Sequence, residues 1–151
     1  MTTIFLLDAS ILGAVTNPKT NNQSVQECQD WFDRCLERSQ IFVLPEIADY
    51  EIRRELLRAN KQNGIIRLDR LKSLLDYQQI DTKTMLLAAQ LWAESRQRGN
   101  PTADPKELDG DVILAAQAKQ LEFLGYEVII VTTNIGHLSQ FAVARLWQDC
   151  Y

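Results

Sequence analysis

One histidine and three cysteines are all that this sequence offers in soft metal ligands. Cys28, Cys35 and Cys150 are odd in number and form no Cys-x-x-Cys pair, which argues against a zinc finger and against a disulfide framework. Cys28 and Cys35 stand seven residues apart, on one stripe of a helix, where a buried apolar role is expected. Only 6 glycines and 4 prolines occur, and no repeat or biased segment is visible, so collagen-like, linker-rich and low-complexity architectures are excluded. Apolar runs such as Val128 to Val131 fall far short of the ~20 residues of a membrane span. Met1-Thr2-Thr3-Ile4 has neither the basic start nor the cleavage pattern of a signal peptide, so the expected location is the cytoplasm, with no membrane partner. Positive charge is also lacking. Sixteen basic residues against 20 acidic ones give a net charge of −4, the wrong sign for a protein that coats nucleic acid by charge alone. A polyanionic partner must therefore meet a local patch.

What remains is an ordinary domain composition. A chain of 151 residues, 46% hydrophobic and 24% charged, fits one domain over 1–151 with its own core. Ile4 to Leu7, Ile41 to Leu44 and Val128 to Val131 are short, unbroken apolar runs, the pattern of strands buried on both faces of a parallel sheet. Tyr77 to Ile80 reads as a weaker fourth strand, before a helix capped by Asp81 or Thr82. Between them the period turns helical. Ser24 with Glu27 forms a capping-box pattern ahead of Cys28, Trp31, Phe32, Cys35 and Leu36. Pro45 leads a helix over Ile47 to Leu57, and Leu68, Leu71, Leu74 and Leu75 mark another after Gly64. Met85 to Trp92 ends near Gly99, and Val112 to Leu124 ends at Gly125. Arg98 to Lys106, rich in turn formers, is the expected flexible stretch. Strands alternating with helices imply right-handed crossovers and a three-layer α/β/α domain around a mainly parallel sheet.

In such sheets ligands gather at the carboxyl ends of the strands, so polar residues there are the first candidates. Asp8 follows the first strand and Asn134 the last, while Asp109 and Asp111 stand at the start of the helix Val112 to Leu124. Glu51 lies six residues past Pro45, about 9 Å along its helix, within reach of the same edge. Each has a second reading. Asp8 and Asp109 suit helix caps, Asp111 suits a first-turn dipole partner, and Glu51 suits a surface ion pair. Together, however, carboxylates converging on one edge repel one another unless a cation offsets them. Oxygen ligands point to Mg²⁺ or Mn²⁺.

Four segments in order, Phe5-Leu6-Leu7-Asp8-Ala9-Ser10, Tyr50-Glu51-Ile52-Arg53-Arg54-Glu55-Leu56, Asp111-Val112-Ile113-Leu114-Ala115-Ala116, and Val131-Thr132-Thr133-Asn134 with His137-Leu138, span nearly the whole chain. In these the chain resembles the PIN domains, and more narrowly the VapC-type ribonuclease toxins of toxin–antitoxin pairs. The resemblance implies a PIN-like fold and a metal-dependent nuclease that cuts single-stranded or loop RNA. It carries Asp8, Glu51 and Asp111 onto the family's acidic positions and Asn134 onto the fourth. Asn134 brings no charge, which puts a second metal site in doubt. On this reading Asp8 and Asp111 ligate one ion, Glu51 ligates it or orients the attacking water, and Asp109 either fixes Asp111 as a cap or adds a ligand. Ser10 and Thr133 suit hydrogen-bond partners of this cluster and equally a helix cap and a turn, and His137 suits a structural or substrate-facing place. The alternative is a PIN-like module that grips RNA or protein without cutting.

Charge is unevenly spread along the chain. Arg53 to Lys72 holds seven basic residues against two acidic ones, a local net of +5 that leaves −9 for the remainder. Either this is a solvated helix face, or Arg53, Arg54, Arg58 and Lys61 hold RNA phosphates beside the acidic centre. The same surface suits an acidic or amphipathic antitoxin segment, and a homodimer is the expected assembly.

Overall fold

Strand β1 (Thr3–Leu7) occupies the middle of a five-stranded sheet whose order is β3-β2-β1-β4-β5, with every neighbouring pair parallel. The computed structural model describes residues 1–18, 20–99 and 105–151, except for the side chains of 105–107. β1 is followed by α1 (Ala9–Thr16), α2 (Gln23–Glu37), β2 (Ile41–Pro45), α3 (Glu46–Arg58) and α4 (Gln62–Leu74). The chain continues through β3 (Asp76–Gln78), α5 (Thr82–Gln97), α6 (Pro105–Phe123), β4 (Glu127–Thr132) and β5 (Ala144–Leu146). No helix among the described residues is long and apolar enough to cross a membrane.

The uninterrupted apolar strands are explained by the two packed faces. Successive side chains of a strand point to opposite sides, so a sheet covered on both needs apolar residues at every position. Phe5, Leu7, Phe42, Leu44, Ile129 and Val131 face α1, α2 and the α3–α4 hairpin, where Ile11, Trp31, Phe32, Leu56 and Leu68 meet them. Ile4, Leu6, Val43, Val128 and Ile130 face Leu114 and Ala118 of α6. α5 lies outside α6, with Ala88 and Leu91 against Leu108, Val112, Ala115 and Ala116, small residues that let the two helices approach closely. The result is a three-layer α/β/α arrangement around a parallel sheet.

All three cysteines are buried and free, and burial pushes the thiols of Cys28 and Cys150 up to about 12 and about 11, which leaves them as packing groups. Trp31 packs against Phe5, Phe42 and Trp147, and its buried indole N–H donates to the Cys150 carbonyl at 2.6 Å.

Several boundaries differ from the sequence reading. α2 is capped by Asn22, whose Oδ1 accepts the Val25 N–H at 3.2 Å, so Ser24 lies inside the first turn and forms no capping box. The fourth strand is Asp76–Gln78, shifted towards the N-terminus, because Asp81 is taken up in a reciprocal box with Thr84 at the head of α5. α6 begins at Pro105, a residue preset for a first turn, so Asp109 and Asp111 stand within the helix and Asp109 caps nothing. Of the stretch read as flexible, residues 100–104 lie outside the described residues. Gly125 ends the α6 turn at φ +100°, a conformation that side-chain-bearing residues resist.

Candidate metal centre

Asp8 is held at the carboxyl end of β1 by its own helix. Its Oδ1 accepts the Ile11 N–H at 3.1 Å, which makes it the N-cap of α1, and it also accepts the Ser10 hydroxyl at 2.5 Å. The Ser10 hydroxyl in turn accepts the Thr133 N–H at 3.1 Å, tying this corner to the end of β4. Burial raises the Asp8 carboxyl above the ordinary range, and hydrogen bonds from Ser10, Thr132 and Ile11 pull the other way. The cap and the ligand are thus not exclusive readings, since a carboxylate has two oxygens and about four lone-pair sites.

Glu51 stands in the second turn of α3. Burial is the main cause that raises its carboxyl; Arg54 opposes this, while Asp111 and Asp8 add to it by repulsion. The three carboxylates therefore share one electrostatic neighbourhood, although they come from positions 8, 51 and 111. Gly110 makes the approach possible: a Cβ at that position would lie 3.0 Å from Glu51 Oε2. Among the described residues no three carboxylate, imidazole or thiol side chains are already gathered as a cage. The donor chemistry nevertheless fits a hard divalent cation, because three mutually repelling carboxylates have their charge offset by one.

The remaining candidates have other partners in this structure. Asp109 is exposed and lines a cavity of about 410 Å³ with Met85, Ala88, Trp92 and Val112 on the α5 side. Two residues turn about 200° around a helix, so Asp109 and Asp111 face different ways. Asn134 is exposed, and its Oδ1 accepts the Gly136 N–H at 3.1 Å, closing a turn. His137 Nδ1 lies 3.3 Å from the Gln140 amide nitrogen.

The basic segment is also divided. Arg53 bridges Asp49 and Asp69, at 2.9 Å each, and Tyr77 donates to the other oxygen of the buried Asp49 at 2.8 Å. That network locks α3, α4 and β3 together, and Arg53 is spent on it. Sequence reasoning missed Asp49; its four-residue spacing from Arg53 was the available signal. Arg54 lies over the Tyr50 ring at 5.0 Å, and Arg58 pairs with Glu55 on the exposed surface at 2.9 Å. Arg58 and Lys61 border a groove of about 680 Å³ between α1 and the α3–α4 hairpin, with Gly13, Thr16, Leu56 and Gly64.

Comparison of the fold with solved structures gives consistent neighbours. VapBC2 from Rickettsia felis, bound to a DNA fragment from its promoter, aligns with a TM-score of 0.69 and 18% identity over 95% of this chain and 98% of that one. FitAcB from Neisseria gonorrhoeae gives 0.67 and 20% over 97% and 99%, and DNA-bound VapBC from Salmonella typhimurium 0.66 and 18% over 97% and 99%. The chain has a VapC-like PIN fold. No protein-family profile matches it, and neither does any curated protein sequence. The likeness lies in the shape of the whole chain, carried by few shared residues.

Proposed function

We propose that this VapC-like PIN domain is a metal-dependent endoribonuclease that cuts single-stranded or loop RNA in the cytoplasm, as the toxin of a toxin–antitoxin pair. The observation that carries the reading is that Asp8 and Asp111, from other parts of the chain, both lie close enough to Glu51 to raise its carboxyl, which Gly110 leaves room for. The structural neighbours, VapBC complexes among them, support the toxin–antitoxin setting.

In this reading Asp8 and Asp111 hold Mg²⁺ or Mn²⁺, with Glu51 as a third ligand or as the acceptor that orients the attacking water. Such an ion, when bound, lowers the pKa of a water and polarises a phosphoryl oxygen. Ser10 fixes the Asp8 rotamer through its hydroxyl. Glu51, whose carboxyl burial raises above its ordinary value, is poised to take a proton from that water. Arg58 and Lys61 hold phosphates, and the groove they border accepts an acidic or amphipathic antitoxin segment. Exposed Tyr50, Leu57, Met85 and Leu86 supply apolar surface for a homodimer.

The test is cleavage of labelled single-stranded RNA by the purified chain with Mg²⁺ or Mn²⁺, with excess chelator, and by Asp8→Asn and Asp111→Asn. Cleavage that stops in chelator and in both folded variants is expected. Full activity in chelator or in either variant defeats the mechanism, and RNA that is bound but never cut returns the domain to a binding module.

A further inference from the structure

Gln117 is 0% exposed, on α6 among Ala115, Ala116 and Ala118. A buried amide is costly unless its polar atoms find partners, and an apolar residue fills such a place more simply. Here both polar atoms of the amide find a partner. Oε1 accepts the Ile47 N–H at 3.3 Å, and Nε2 donates to the Gln78 carbonyl at 2.9 Å. Gln78 returns the bond, its Nε2 donating to the Gln117 carbonyl at 2.9 Å. One side chain thus joins α6 to the first turn of α3 and to the end of β3.

Helical geometry links this clasp to the metal centre. Seven residues turn 700°, so Gly110 and Gln117 lie within about 20° of the same face of α6, some 10.5 Å apart along its axis. Ile47 and Glu51 are four apart, on one face of α3. The two helices therefore meet at two points, the Gln117 amide on the Ile47 N–H and the Gly110 backbone against the Glu51 carboxylate. The apolar contacts of Leu114 and Ala118 with the sheet are non-directional and tolerate a slide or roll of α6. The amide bonds do not.

We propose that Gln117 is a positioning residue that sets the register of α6 against α3 and so fixes Asp111 relative to Glu51 and Asp8; this rests on the metal-site reading above. Metal sites depend on ligand placement within about 0.2 Å, and Gln117, which bonds Ile47 and Gln78, reaches the three carboxylates through the seating of α6 on α3.

The experiment titrates Mn²⁺ alone into the full chain by calorimetry, alongside thermal melts, for the wild type, Gln117→Leu, Gln78→Leu and Leu91→Ala. Leu91 packs in the α5–α6 contact away from Ile47 and Glu51, so Leu91→Ala lowers the melting temperature without touching the clasp. The expected result is a Kd for Mn²⁺ several-fold weaker in Gln117→Leu, a smaller loss in Gln78→Leu, and no change in Leu91→Ala. Wild-type affinity in a folded but less stable Gln117→Leu overturns the proposal. So does an equal loss in Leu91→Ala. Should Gln117→Leu not fold, Gln117→Met, which keeps the side chain's length and removes both amide bonds, decides, and wild-type affinity there overturns it. A wild type that binds no Mn²⁺ removes the metal-site reading itself, and the positioning role with it.

Discussion

Gly110→Ala is expected to move stability and metal affinity in opposite directions. Gly110 lies in the interior of α6, where alanine is favoured over glycine by roughly 0.8–1.0 kcal/mol. Against this, the added Cβ meets Glu51 Oε2 at 3.0 Å and the carboxylate carbon and other oxygen at 3.4 Å. Those atoms are the far end of a flexible side chain, and a rotation of a few tenths of an ångström relieves the contact. The net expectation is a gain of about 0.5–1 kcal/mol, or a melting temperature higher by about 1–4 °C for a chain of this length. Glu51 is displaced by the same rotation. Calorimetric titration with Mn²⁺, beside thermal melts of the metal-free protein, measures both quantities. A higher melting temperature with weakened Mn²⁺ binding is the signature of a backbone left bare to admit a carboxylate. Unchanged affinity refutes the place of Glu51 beside the ion, and a large loss of stability refutes the claim that only a mobile carboxylate stands in the way.

Two further outcomes follow from the same structure. Asp8 and Glu51 both have carboxyls raised by folding, so their contribution to stability is complete below the ordinary carboxylate range and is lost as pH rises through the raised values. Metal-free protein should therefore lose stability as pH climbs from about 4 towards neutral, and Glu51→Gln should flatten that decline; an identical pH profile in the variant, followed by chemical denaturation, contradicts the shared charge. Arg53→Ala should destabilise by about 2–3 kcal/mol, because Asp49 loses a charge-assisted bond while buried, whereas Arg58→Ala with Lys61→Ala should leave stability unchanged and reduce the salt dependence of RNA binding by roughly 0.7 per lost contact. Equal melting temperatures for the two variants would deny Arg53 its place in the network.

How much was legible in the sequence depended on whether a residue's surroundings were local. The runs at Ile4, Ile41 and Val128 read as strands because burial on both faces removes any alternation that competes with that reading. Asp8, Glu51 and Asp111 could be placed at one edge because strand ends and helix starts fix it. The head of α6 was read too late because it follows directly on the turn formers of Arg98 to Lys106, when the helix already begins at Pro105. Gln117 carried no signal at all. A buried amide in an alanine-rich helix looks like a surface residue until its partners at Ile47 and Gln78 are known. Arg53 looked available for phosphate for the converse reason, because Asp69 reaches it from sixteen residues away.

The central place of β1 also governs when this molecule becomes whole. β1 pairs on one side with β2 and on the other with β4, where Thr3 stands opposite Glu127, 124 residues later. Closing so long a loop is slow, and its entropy must be overcome before the contacts it allows return anything. Asp8 is synthesised well before β4, the strand that completes the seat of α6. The acidic edge is thus assembled only once β4 has been made and has paired with β1, and a chain cut short of residue 127 carries the carboxylates apart from one another.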